Sequence, residues 1–338
     1  MTQLNLFYAE PDLDRWLPLD RFPRKIIRRI LNGPHRPGGQ MRVFLNLSAG
    51  LKLLDLPFRV NDFKHARRHP EELCCVLGKR NMLESCQWTN PLMIGPSVFD
   101  HPIDCPQLFE KWRVRRLLVP GEWMRLMCKP NWGAHVFDWP VGIDTNHWTT
   151  ANPGTDRDID VLVYDKLRWD RANAEKRILN PVLAELNRRK LHHVKIRYGQ
   201  YDPENYRALL GRTRCMVFLC EHETQGIAYQ EALSSGVPVV AWDHQTFWTD
   251  PNYYPEKVSF SPVSAVPYWD KRCGTRFATP EKFPEALDLL EAARIAGVLN
   301  PRAYILENLS LEKCSGDFVR HVEAASLAPD ISTSMNRA

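Results

Sequence analysis

Hydrophobic positions in the second half of the chain fall into short continuous runs separated by amphipathic stretches. Asp160–Tyr164 (DVLVY), Val194–Tyr198 (VKIRY), Met216–Cys220 (MVFLC) and Pro238–Ala241 (PVVA) are the runs. Such short, mostly apolar runs suit strands buried on both faces of a sheet. Between them, Asn173–Arg189, Glu204–Leu210 and Ile227–Leu233 carry apolar residues at helical spacing, with a kink or restart at Pro181. Ser235-Gly236 stops the last of these helices. Pro280–Ala296, Pro301–Leu309 and Leu311–Ala325 predict three more, and Trp242–Trp269 is an aromatic, proline-rich connection. Strands alternating with helices predict a parallel α/β sheet, which takes ligands at the carboxyl ends of its strands.

The first half is patterned less clearly. Residues 1–40 read as irregular and rich in Pro and Arg, apart from a short helix over Pro23–Leu31 (PRKIIRRIL). Met41–Leu47 (MRVFLNL) alternates and predicts a strand, running into Ser48-Ala49-Gly50 and a helix from Leu51 to about Leu54. Phe58–Asn61, Cys74–Gly78, Leu92–Pro96 and Arg115–Val119 predict further strands, and the segment Ala134–Asp144 closes the half. Thr149–Arg157, with Asn152-Pro153-Gly154, has the composition of a linker. The boundary is therefore expected near residue 152, giving domains 1–151 and 152–325 and a tail 326–338.

Composition narrows the class. A length of 338 residues suits two domains, and 44% hydrophobic with 25% charged residues is the balance of a soluble globular protein. No apolar run approaches the ~20 residues of a membrane span. The N-terminal sequence MTQLNLFYAEPDLDRW lacks the apolar core of a signal peptide, so a cytoplasmic location is expected. The nine Cys, without CxxC spacing, read as reduced thiols. A net charge of +5 is too mild to indicate a nucleic-acid partner. The Pro23–Leu31 helix reads as a packed surface helix with solvated arginines, or else as a peripheral contact with the inner face of a membrane.

Candidate chemistry concentrates between Val217 and Asp243. Glu223 lies in the polar loop Glu221–Gln225, and Glu231 lies on the following helix, seven residues intervening. A carboxylate accepts two hydrogen bonds side by side and so suits a vicinal diol. Gly226 admits close backbone approach, and the helix start offers free N–H groups to a phosphate.

E-x7-E followed by A-L-x-x-G-V-P-V-V resembles the donor-site signature of retaining, family-4-like glycosyltransferases (glycosyl transferases group 1) of the GT-B fold. The resemblance covers about residues 41–325 and is strongest over 215–243. It implies two Rossmann-like domains with parallel sheets facing across a cleft, acceptor side first and nucleotide-sugar donor side second. It implies that Glu223 holds hydroxyls of the donor sugar and Glu231 the nucleotide ribose. Thr224-Gln225-Gly226 stands where the family usually has Gly-Phe-Gly, a polar Gln in place of an aromatic residue. Lys166, Arg168 and Arg171 occupy the place of the family's diphosphate-binding Arg/Lys pair, in reversed order. The resemblance further implies a loop near the donor phosphates at Gly50, and a donor-sugar contact at His101. The Tyr198–Tyr201 loop is expected to meet the base.

The chemistry implied is transfer of a sugar from a nucleotide-diphosphate sugar with retention. Basic side chains, and no bound metal or other cofactor, stabilise the leaving diphosphate. The leaving phosphate takes the acceptor proton, so Glu223 positions the sugar and does not attack it, unlike the paired carboxylates of glycosidases. D-x-D triplets at Asp12-Leu13-Asp14 and along Asp156, Asp158 and Asp160 read as solvated acids. The acceptor is open among glycans, lipid-linked sugars and small metabolites. Two alternatives remain at this point: a nucleotide-sugar epimerase on the same fold, and a scaffold that binds nucleotide or glycan without turnover.

Overall fold

The structure, a computed structural model, describes residues 3–10, 38–84, 86–150 and 156–331. The expected basic helix at 23–31, the Asp12–Asp14 triplet and the boundary near residue 152 lie outside these residues. The chain divides into two compact units. Unit 1 comprises Met1–Pro120, Cys128–Val141 and Cys314–Ala338, and unit 2 comprises Gly121–Met127 and Gly142–Lys313.

Unit 1 holds a six-stranded parallel sheet in the order β2-β1-β3-β4-β5-β6. Its strands are β1 (Leu4–Phe7), β2 (Phe58–Val60), β3 (Cys74–Val76), β4 (Leu92–Ile94), β5 (Val114–Val119) and β6 (Val136–Asp138). Leu4–Phe7, read as irregular from sequence, is thus a central strand, with all four residues buried. Asn5 interrupts its apolar pattern, and its buried amide is used by Glu72 Oε2 at 2.9 Å.

Met41–Leu47 is not a strand. It belongs to the helix Gly39–Leu53. The buried residues Val43, Leu47, Gly50 and Leu51 recur at i, i+4, i+7 and i+8, a helical period that a seven-residue window hides behind local alternation. Gly50 consequently sits inside that helix, buried, and the glycine loop expected there is not formed. The last helix, Leu311–Leu327, belongs to unit 1 from Cys314 onward, where Trp139 donates its indole N–H to the Cys314 carbonyl (2.8 Å).

Unit 2 holds a five-stranded parallel sheet in the order β8-β7-β9-β10-β11. The strands are β7 (Ile159–Lys166), β8 (His193–Arg197), β9 (Thr213–Cys220), β10 (Val239–Trp242) and β11 (Gly274–Phe277). β7, β9 and β10 are the predicted apolar runs and are buried along nearly their whole length. Alternate residues Val161 and Val163, Val217 and Leu219, and Val240 and Trp242 turn to one face. There they pack against Leu179, Val182 and Leu186 of one helix and Phe283, Ala286, Leu287 and Leu290 of another.

The helical segment after β7 runs from Arg171 to Arg188, with a π turn over Glu175–Leu179 just ahead of Pro181. That is where a missing N–H would otherwise interrupt the hydrogen-bond ladder. β11 was not predicted; GTRF is a short edge strand without an apolar run. No helix among the described residues is long and apolar enough to cross a membrane.

Candidate active site

The strand order of unit 2 reverses between β7 and β9. From β7 the chain goes out to β8 on one side and then to β9 on the other, which opens a crevice at their carboxyl ends. In the register of these two strands Lys166 pairs with Cys220, so the loops that follow, Leu167–Asp170 and Glu221–Gly226, leave the sheet side by side.

The Glu221–Gly226 loop is held from several directions. Glu221 Oε1 accepts the backbone N–H groups of Arg168 (2.7 Å) and Trp169 (3.2 Å). The His222 carbonyl accepts from the Arg168 guanidinium at 3.0 Å. Glu223 donates its N–H to the Ser264 carbonyl (2.9 Å), and its own carbonyl accepts the Trp123 indole N–H (2.8 Å). The Gln225 carbonyl accepts from the Gln230 amide at 2.6 Å. A loop with this many fixed backbone groups is pre-organised, as a site that positions a ligand must be.

Glu223 and Lys166 form an ion pair at this crevice, their side chains 8% and 12% exposed. Burial is the largest single influence and works against the Lys166 charge, but Glu223, joined by Cys220 and Tyr198, outweighs it and holds the ammonium above its ordinary range. The Lys166 Nζ also lies 4.4 Å from the centre of the Tyr198 ring. Arg168 lies with its guanidinium 4.3 Å from the Trp169 ring centre. Lys166 and Arg168 therefore bring two cations to the same mouth as the Glu223 carboxylate.

Arg171 is differently placed. Its guanidinium binds both oxygens of the fully buried Asp165 at 2.6 Å and also Glu175. Two carboxylates thus claim the charge that the sequence made a candidate for phosphate.

Gly226 opens the helix Ile227–Ser234 with φ 77° and ψ 34°. It is the left-handed conformation that favours glycine. A Cβ here would fall 2.0 Å from Cε1 of Tyr229. Tyr229 in turn accepts the Tyr268 N–H (3.0 Å) and donates to its carbonyl (3.1 Å), tying the aromatic connection to this helix. Glu231 lies buried on the same helix. Thr224 is half-buried and Gln225 buried in the loop.

Unit 2 therefore brings Glu223, Lys166, Arg168, Thr224, Gln225 and Gly226 together. His101 and Gly50 belong to unit 1. His101 caps the turn Pro102–Asp104, its Nδ1 accepting the Ile103 N–H at 3.2 Å, and burial lowers its basicity.

Two residues of the site had no signal in the sequence reading. Trp123 arrives from a segment a hundred positions earlier. His222, beside Glu223, sits among the rings of Trp169 (4.9 Å), Trp123 (5.6 Å) and Trp248 (6.4 Å). Burial first, then the neighbouring Arg168 charge, push its imidazole down to about 2, so it is neutral at ordinary pH.

No protein-family profile and no curated protein matches the sequence. Solved structures do. The glycosyltransferase AviGT4, involved in avilamycin A biosynthesis, matches with a TM-score of 0.55 at 14% identity, over 97% of this chain and 99% of that one. WaaG, a glycosyltransferase involved in lipopolysaccharide biosynthesis, matches with a TM-score of 0.53 at 12% identity, over 85% of this chain and 97% of that one. With its two parallel sheets flanked by helices, the chain has the α/β GT-B fold of these glycosyltransferases.

Proposed function

We propose that the protein is a retaining glycosyltransferase that moves a sugar from a nucleotide-diphosphate sugar to an acceptor hydroxyl, with the donor held in unit 2. The observation that carries this reading is the Glu223–Lys166 pair at the point where the strand order reverses, with Arg168 beside it. A sugar diphosphate presents hydroxyls and a dianion next to each other, and this crevice presents a carboxylate next to two cations. Glu223 accepts hydrogen bonds from the sugar hydroxyls. Lys166 and Arg168 take the diphosphate charge that grows as the bond from the anomeric carbon to the leaving oxygen breaks. The leaving phosphate oxygen receives the acceptor proton, and the new bond forms on the same face. Glu231 holds the ribose, and the Tyr198–Tyr201 loop meets the base. The acceptor is a glycan, a lipid-linked sugar or a small hydroxylated metabolite, and the reaction takes place on the cytoplasmic side.

The test is release of nucleoside diphosphate from UDP-, GDP- and ADP-sugars, with added candidate acceptors and the product anomer read by NMR. One donor class is expected to turn over, with Mg2+ or Mn2+ giving no increase. Glu223→Gln is expected to lower the rate at least ~100-fold. Wild-type turnover by Glu223→Gln, or an inverted product, sinks the assignment; a sugar trapped covalently on Glu223 replaces its positioning role with attack.

A further inference from the structure

The crossover from β2 to β3 in unit 1 carries a second chemical cluster that takes no part in the reaction above. A short helix, Phe63–Arg68, follows β2, with the Asp62 carboxylate accepting the His65 N–H (2.9 Å) at its start. His69 caps the end of this helix, its N–H donating to the His65 carbonyl (3.0 Å), and so stands one turn beyond His65 on the same side. Their rings stack with centroids 4.2 Å apart and planes 27° from parallel. The chain then turns back toward β3 and sets Glu72 Oε2 2.8 Å from His65 Nε2. One ligand atom from each of these three side chains lies within 4.8 Å of the others, and it is the one such grouping of His, Cys, Asp or Glu among the described residues.

The backbone that carries the cluster is held in shape. Buried Asn90 donates its side-chain amide to the carbonyls of Ala66 (3.1 Å), His69 (2.8 Å) and Glu72 (3.1 Å). Buried Asn5, on β1, donates to Glu72 Oε2 at 2.9 Å, the kind of outer hydrogen bond that orients a ligating carboxylate. His65 and Glu72 are half-buried while the His69 side chain is 44% exposed, so solvent reaches the cluster from the His69 side. His69 Nδ1 also lies 3.5 Å from Oε1 of the exposed Glu71, but neither this contact nor the His65–Glu72 pair requires the two imidazoles to lie face to face or the backbone to be clamped by Asn90.

We propose that His65, His69 and Glu72 form a binding site for a borderline divalent transition cation of the zinc type, with a fourth position left to water. Two imidazole nitrogens and one carboxylate oxygen favour such an ion over Mg2+ or Ca2+. A tetrahedral ion about 2.1 Å from each ligand sets the ligand atoms about 3.4 Å apart. The His65–Glu72 pair opens by roughly half an ångström and His69 closes by rotation of its exposed side chain. The proton shared by His65 and Glu72, and any carried by His69, leave to solvent as the ion enters. The ion then cross-links the β2–β3 crossover and, through Asn5, the central strand β1.

The experiment uses untagged, chelator-dialysed, full-length protein, titrated with Zn2+ by calorimetry and with Co2+ by visible absorption. One Zn2+ per chain is expected, with cobalt bands of four-coordinate N/O ligation and no competition from Mg2+. His69→Ala and Glu72→Gln, both at partly exposed positions, are expected to weaken Zn2+ binding at least ~100-fold while the far-UV circular dichroism is unchanged. Absence of stoichiometric binding overturns the proposal. So does Zn2+ affinity unchanged in His69→Ala/Glu72→Gln, or a thiolate charge-transfer band, which moves the ion to cysteine thiols.

Discussion

Gly226→Ala is the sharpest perturbation of the loop that organises the site. Gly226 has φ 77°, and its added Cβ would meet Tyr229 Cε1 at 2.0 Å and Cδ1 at 2.7 Å. A left-handed alanine costs about 1–2 kcal/mol wherever it stands. The Tyr229 ring is fully buried and has to move to admit the methyl group, which breaks its two hydrogen bonds to the Tyr268 backbone at 3.0 and 3.1 Å. At about 1 kcal/mol each, these bring the total to about 3–4 kcal/mol. Gly199 supplies the control, because it also has φ 77° but nothing lies within 4 Å of its Cβ direction. Gly199→Ala is expected to cost the conformational share alone. Thermal unfolding followed by circular dichroism reads the difference directly. At about 2–4 °C per kcal/mol, Gly226→Ala should melt roughly 4–8 °C below Gly199→Ala. Equal melting temperatures for the two variants would refute the claim that Tyr229 packing fixes the loop.

The remaining predictions concern charge. Lys166→Met leaves the Glu223 carboxylate buried without its partner and should cost about 3–5 kcal/mol in urea unfolding. Lys166→Met/Glu223→Gln should recover most of that loss, whereas strict additivity of the two single changes would show that the pair is not coupled. His222 is held neutral in the folded chain, pushed down to about 2, while the unfolded chain protonates near 6.5. The unfolded state therefore binds the extra proton. The stability that this supplies is complete above about pH 6.5 and is lost as pH falls from there toward 2, by up to about 1.4 kcal/mol per unit. His222→Phe should lose about 2 kcal/mol less than wild type between pH 7.5 and pH 5, and an unchanged pH slope would mean that His222 titrates freely in the fold.

Much of unit 2 was legible because its strands are apolar runs buried on both faces, a pattern that survives without knowledge of the neighbours. Unit 1 was harder. β1 is four residues long, and its Asn5 is explained only by Glu72, far along the chain. Val43, Leu47 and Leu51 reveal a helix only over a window twice the length of the strand they imitate. The side chains at the crevice divide in the same way. Glu223, Gly226 and Lys166 stand out by spacing, since loop, helix start and strand end are local features. Trp123 and the rings around His222 are brought in by tertiary packing and leave no local mark. Arg171 did have a signal: Asp165 follows the apolar run of β7, and a buried acid there demands a nearby cation, which Arg171 supplies from the first position of the next helix.

Binding of a nucleoside diphosphate by Glu231, Arg168 and the Glu223 loop is read by calorimetric titration of UDP, GDP and ADP into wild type, Arg168→Ala and Glu231→Ala. One nucleotide should bind the wild type at one site and bind each variant at least ~10-fold more weakly, the loss of about 1.4 kcal/mol that one charged hydrogen bond carries. A nucleotide that binds all three proteins with the same affinity would place the donor elsewhere and remove Glu231 and Arg168 from its site.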